Sequence, residues 1–178
     1  MAEPDTGAPP RVALVTAVAV AVALVVAVAV FALTKKGDEP GIGPLPLVPV
    51  PAPQAAAPAC TTLIAALPAE LPSNGKTLAR RELANPAPAA TVAWGTDDPL
   101  VLRCGLDRPP ELTRDAKLRV VNGVQWLEVS GEGAATWYVV DREVYVGLTV
   151  PDSAGTGPLQ VISDTVRPTL PAQPLRYG

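Results

Sequence analysis

The pattern of apolar and polar positions divides the chain into an unbroken apolar block and a later region of short alternating runs. The block is "VALVTAVAVAVALVVAVAVFAL", Val12 to Leu33, with no charge and Thr16 as its one polar residue. A helix of that length spans roughly 33 Å, enough for a hydrocarbon core of about 30 Å. Valine is a poor helix former in water, but a bilayer forces backbone hydrogen bonds to close within the segment. The apolar core of a cleaved signal peptide usually runs only about 7–15 residues. The block therefore predicts an uncleaved signal anchor, with secretion after cleavage as the alternative.

Beyond residue 58 the runs are shorter. In "PACTTLIAALP", Cys60, Leu63, Ile64 and Leu67 follow helical spacing, opened by Pro58 and stopped by Pro68. "SNG" (73–75) reads as a turn and "KTLARREL" as a strand. "TVAW" (91–94) and "PLVLRC" (99–104) read as strands joined by "GTDDP". In "LRVVNGVQWLEV", Asn122-Gly123 marks a two-residue hairpin that places Arg119 opposite Trp126, where a cation–π contact is expected. "TWYVVDREVYVGLTV" reads as a second hairpin turning at Asp141-Arg142, with Tyr138 opposite Tyr145 and Trp137 opposite Val146. One face then carries Trp137, Val139, Val144, Val146, Leu148 and Val150. The other carries Tyr138, Val140, Glu143, Tyr145, Gly147 and Thr149. "GPLQVISDTVRPTL" reads as a helix with Leu159, Ile162 and Val166 on one face, and "PAQPLRYG" as a loose tail. These elements predict an α+β class, an antiparallel meander sheet with two helices on one face.

Composition adds the connections. Residues 37–59 contain seven prolines. Such a segment favours polyproline II and is read as a semi-rigid spacer. The expected organisation is a disordered N-terminus (1–11), a transmembrane helix (12–33), a proline-rich linker (34–57), an extracytoplasmic domain (58–170) and a tail (171–178). Lys35 and Lys36 follow the span while Arg11 precedes it, which leans towards a cytoplasmic domain. So few charges give a slight bias, and the cysteines argue more strongly for export.

Charge and residue types exclude much chemistry. The formal net charge is −3 and there is no histidine. No basic stripe marks a nucleic-acid binder, and the commonest general base and metal ligand are missing. The two cysteines are Cys60 and Cys104. Cys60 lies on the helix's apolar stripe. Leu100, Leu102 and Cys104 share one strand face, so both thiols point into the same core. Two thiols do not complete a structural zinc site, and no histidine is present to activate one as a nucleophile. Two inert thiols or a Cys60–Cys104 disulfide remain, and outside the cytosol the disulfide is favoured. Asp97, Asp98 and Asp107 fall in turns and read as solvated carboxylates. No catalytic residue, metal site or cofactor site emerges. Tyr138 and Tyr145, with Arg119 and Trp126, are the candidates for a partner-binding face, unless a helix or loop covers the tyrosines.

Several pieces occur in order: the N-terminal span, "PAC..LIAALPAEL", "VAWG...PLVLRCGLDRP", "VNGVQWLEV" and "TWYVVDREVYVGLTVP". In these the chain resembles the actinobacterial family of unknown function DUF3515, over roughly residues 55–175. The resemblance implies a membrane-anchored or secreted envelope protein with no assigned activity and no catalytic residues to carry over. The expected function is a membrane-anchored, non-enzymatic extracytoplasmic domain that binds an envelope protein or cell-wall component. A cell-wall enzyme using Asp/Glu chemistry and an assembly factor of a membrane complex are the alternatives.

Overall fold

The structure, a computed structural model, describes residues 15–16, 20–27 and 43–177. Residues 15–16 and 20–27 are helical, and their valines and Leu24 are exposed. Among the described residues no helix is long and apolar enough to cross a membrane. The rest of the expected span, the N-terminal eleven residues and residues 34–42 lie outside the described residues.

From Gly43 onward the chain forms one compact unit. It contains helix α1 (Pro58–Ala66), eight strands and helix α2 (Gly157–Thr169). The strands are β1 (Glu70–Ser73), β2 (Lys76–Arg81), β3 (Thr91–Trp94), β4 (Leu100–Leu106), β5 (Leu118–Val121), β6 (Val124–Ser130), β7 (Ala134–Val139) and β8 (Tyr145–Pro151). All pairings are antiparallel, in the order β1-β2-β3-β4-β8-β7-β6-β5. Two four-stranded meanders thus meet at the β4–β8 seam. The expected α+β class holds, with a larger sheet than the sequence pattern predicted.

Turn chemistry explains the tight hairpins. Asn74-Gly75 and Asn122-Gly123 all have positive φ, the left-handed pair that a two-residue hairpin needs. The second turn pairs Val121 with Val124 and Arg119 with Trp126, as expected. Asp141-Arg142 offers no such pair, and the β7–β8 hairpin departs from expectation. Tyr138 faces Gly147, Trp137 faces Leu148, and Val139 faces Val146. The register is therefore shifted by two residues, and the connection is a five-residue loop. Packing fixes that loop: the Val140 side chain is buried, and the Arg142 guanidinium is sealed and donates to Asp141 and Gly123 carbonyls. A shift of two preserves facing, so the expected core face survives intact.

One core lies between that face and the two helices. Cys60 and Leu63 of α1 and Leu159, Ile162 and Val166 of α2 pack on Leu100, Leu102, Cys104, Trp126, Val139, Val146 and Leu148. Cys60 and Cys104 are disulfide-bonded there, with Cα atoms 5.5 Å apart. A smaller core on the opposite face gathers Leu106, Leu112, Leu127, Val140 and Tyr145.

The segment read as a semi-rigid spacer and the tail read as loose are both docked. The expected linker joins the compact unit from Gly43. Leu45 exchanges backbone bonds with Glu82 and Ala84 (2.8 and 2.9 Å), and Gln54 N–H donates to Gly105 at 3.0 Å. Gly105 sits at the β4 irregularity between Cys104 and Leu106, with the Gln54–Ala55 backbone where a Cβ would stand. The C-terminal stretch is held too: Gln173 N–H donates to Asp141, and Arg176 donates to the Arg142 and Glu143 carbonyls. Prolines remove donors from both segments, but their carbonyls and remaining N–H groups suffice for docking.

Candidate functional site

The proposed aromatic face does not exist as one surface. Trp126 and Arg119 lie on the helix-covered side of the sheet, and Tyr138 and Tyr145 on the other. Trp126 is fully buried and its indole N–H donates to Ser163 Oγ at 2.8 Å. The expected Arg119–Trp126 contact is replaced: Arg119 lies over Trp137, 5.5 Å from the ring centroid, and pairs with Glu128 at 3.3 Å. Burial of Trp126 removes its ring face, while Trp137, diagonal to Arg119 and half-buried, offers one. Tyr145 is only 6% exposed. Its hydroxyl donates to the Arg176 carbonyl, and the Arg176 guanidinium sits 5.1 Å from its ring centroid. A loop-like tail, not a partner, covers that tyrosine.

Tyr138 is different. The β4–β8 and β8–β7 registers align Arg103, Gly147 and Tyr138 in one row across three central strands. At strand spacings near 4.8 Å, Arg103 and Tyr138 stand roughly 10 Å apart at Cα. Between them Gly147 contributes no side chain. A Cβ there would come within 2.7 Å of Leu106 Cδ1 and 3.5 Å of Thr136 Cγ2 and Tyr138 Cε1, so these side chains close in over a position that only glycine fits without a shift. The next row supplies Thr136 and Thr149, whose hydroxyls share a 3.2 Å hydrogen bond. With Leu106 and Val50 as apolar walls, these residues line a cleft of about 230 Å³.

Arg103 is the charged group of this cleft. Its Nε is shut off from solvent and has no hydrogen-bond partner. Desolvation holds its pKa below the ordinary arginine value, with the nearby Tyr138 opposing the shift. Burial pushes the Tyr138 phenol above its ordinary value, Glu111 adds to this, and Arg103 offsets part of it. At neutral pH the site is a guanidinium facing a protonated phenol, with two hydroxyls alongside. That set can grip an anion but has no group suited to take a proton near pH 7.

A second, polar cleft of about 240 Å³ lies at the end of the sheet, lined by Lys76, Asp97, Asp98 and Ser153 among others. Asp98 accepts a hydrogen bond from Ser153 Oγ at 3.1 Å, and both aspartates are exposed. Asp107 is exposed after β4 and does not line either cleft. Among the described residues no group of three or more Cys, Asp or Glu is placed to hold a metal ion.

The fold and clefts define a small disulfide-bonded α+β domain with a ligand-sized opening on its helix-free sheet face. The chain belongs to the family described as "Protein of unknown function (DUF3515)", whose family model matches residues 18–175. No curated protein and no solved structure matches it.

Proposed function

We propose that this chain is a membrane-tethered extracytoplasmic domain that binds its ligand without catalysing a reaction. The observation that carries this reading is the Cys60–Cys104 disulfide in the main core. Such bonds persist in oxidising compartments and are rare in the cytosol. The 22-residue apolar run supplies the tether. The Arg103–Tyr138 cleft supplies recognition groups without an acid–base pair near neutral pH. An envelope protein or cell-wall component is the partner class.

The test is labelling of intact cells with a membrane-impermeant maleimide, before and after reduction. Labelling of Cys60 and Cys104 only after reduction supports the reading. Labelling only after lysis places the domain in the cytosol and ends it. A second reading, a carboxylate-dependent cell-wall enzyme, draws on Asp97 and Asp98 lining one cleft with Lys76. If Asp97→Asn or Asp98→Asn abolishes complementation of a deletion strain while the protein stays folded, that reading displaces the first. Asp107→Asn serves as the control outside the cleft. An assembly factor acting within the bilayer would instead lose function when residues 12–33 are exchanged for an unrelated span.

A further inference from the structure

We propose that the Arg103 cleft is a binding site for a carboxylate monoanion, gripped by the Arg103 guanidinium and the Tyr138 hydroxyl above the bare backbone of Gly147. This rests on the binding-domain reading, but not on which side of the membrane the domain occupies.

Three features of the structure lead there. First, Arg103 has no hydrogen bond or ion pair within the described residues, although its Nε is sealed. Arg81 and Arg142 share an unpartnered Nε, but unlike Arg103 they and Arg80 place their terminal guanidinium nitrogens on partners. Arg142 pairs with Asp141 at 2.8 Å, Arg80 donates to Ile64 and Leu67 carbonyls, and Arg81 donates to Thr96 and Gly43. A partly desolvated guanidinium without a counter-charge is a cost to the fold, smaller than that of a fully buried one. An incoming anion removes that cost.

Second, a residue without a side chain lies between the two polar groups at the floor of the cleft. Gly147 is the cross-strand neighbour of both Arg103 and Tyr138, and any side chain there would collide with Leu106. The opening of about 230 Å³ admits a carboxyl group with a few attached atoms. Guanidinium presents a planar fork that matches carboxylate geometry, and a protonated phenol adds a donor from the far wall. Thr136 and Thr149 hydroxyls border the same space.

Third, the charge count selects the anion. One unpaired cation faces the cleft, and Glu111 lies close enough to Tyr138 to raise its pKa. A dianion such as phosphate would meet a single positive charge and a nearby carboxylate. A monoanion is neutralised one for one.

The test uses the full chain in detergent micelles with arginine Nε–H groups labelled for NMR. The probes are N-acetylglycine, its amide, acetate and inorganic phosphate. The expected result is a saturable shift of the Arg103 Nε–H signal with N-acetylglycine. The amide should bind about tenfold or more weaker, as expected for loss of a charge-assisted hydrogen bond. Tighter binding of N-acetylglycine than acetate identifies a peptide C-terminus as the source, and equal binding identifies a small free acid. Arg103→Gln should abolish the response. Should that variant not fold, Tyr138→Phe keeps the ring packing and should weaken binding severalfold, and Gly147→Ala should block the opening. No shift with either carboxylate, an equal response to the amide, binding unchanged in the folded variants, or phosphate binding tighter than carboxylate each overturns the proposal. A cytosolic result from maleimide labelling would leave this outcome unaffected, so the two failures are distinguishable.

Discussion

Trp126 on β6 donates its indole N–H to Ser163 Oγ on α2 across 2.8 Å, and the Ser163 hydroxyl donates in turn to the Leu159 carbonyl at 2.7 Å. Both side chains are fully buried. A serine on an otherwise apolar helix face is thus the partner that lets one of two fully buried tryptophans bury its polar atom. Ser163→Ala leaves the indole unpaired and should cost about 1–3 kcal/mol in chemical denaturation. In a double-mutant cycle with Trp126→Phe, the two losses should be less than additive, because the second substitution removes the orphaned donor.

The disulfide joins the first helix to a central strand, with 44 residues of sequence separation. In the chain-entropy model such a crosslink contributes about 4 kcal/mol. The paired substitution Cys60→Ala with Cys104→Ala should lower the unfolding free energy by roughly that amount while near-UV circular dichroism at low denaturant stays native. Adding reductant to the native protein should reproduce the loss, and adding it to the double variant should change nothing.

Phase made the disulfide and main core legible in the sequence. Cys60 sits on a helical stripe, and Cys104 alternates with Leu100 and Leu102, so each local pattern alone points a thiol inward. The Asn122-Gly123 hairpin was legible for a similar local reason. The β4–β8 seam was not, because nothing in "PLVLRC" or "VYVGLTV" names a partner 40 or more residues away. The cleft depends on that seam. It depends also on the two-residue shift at Asp141-Arg142, since the expected register set Tyr138 against Tyr145 and left no gap. Two local signals pointed towards it: an arginine in an apolar strand, and a glycine in the middle of another. The docked tail and proline segment were invisible because their contacts end on backbone groups of distant elements, Leu45 and Gln54 through their own backbone and Arg176 through its guanidinium, which composition does not encode.

Arg176 anchors the tail by donating to the Arg142 and Glu143 carbonyls at 3.0 and 2.8 Å and by stacking over Tyr145. Arg176→Ala should cost about 1–2 kcal/mol from lost hydrogen bonds and the cation–π contact. Hydrogen exchange should show the change at the β7–β8 loop and at Gln173, whose N–H donates to Asp141. Protection in β3 and β4 should fall only by the global loss.

The Tyr138 phenol titrates above its ordinary value because of burial first and Glu111 second, against an opposing effect of Arg103. A group with a raised folded-state pKa stabilises the fold fully below its unfolded pKa, which for tyrosine is near 10. That contribution is lost as pH rises through the folded value. Stability should therefore fall at alkaline pH, and Tyr138→Phe should flatten the fall. Tyrosinate absorbance should show Tyr138 ionising earlier in Glu111→Gln and later in Arg103→Met.

Arg103→Met tests the energetic meaning of the cleft. The substitution keeps an unbranched side chain of comparable reach in the same strand and removes a guanidinium that desolvation already disfavours. Since no side-chain ion pair or hydrogen bond is lost with it, the main change is relief of a half-buried charge whose sealed Nε has no partner. Arg103→Met should raise the unfolding free energy, by less than about 1 kcal/mol because solvent screens the half-buried guanidinium. Replacing Arg142, which is fully buried and paired with Asp141, should instead destabilise, because it strands the buried aspartate. A gain at Arg103 beside a loss at Arg142 would mark the first as a residue kept at the expense of stability, the pattern expected where a ligand supplies the missing partner. A loss at both positions would make Arg103 a structural residue and empty the cleft of its purpose.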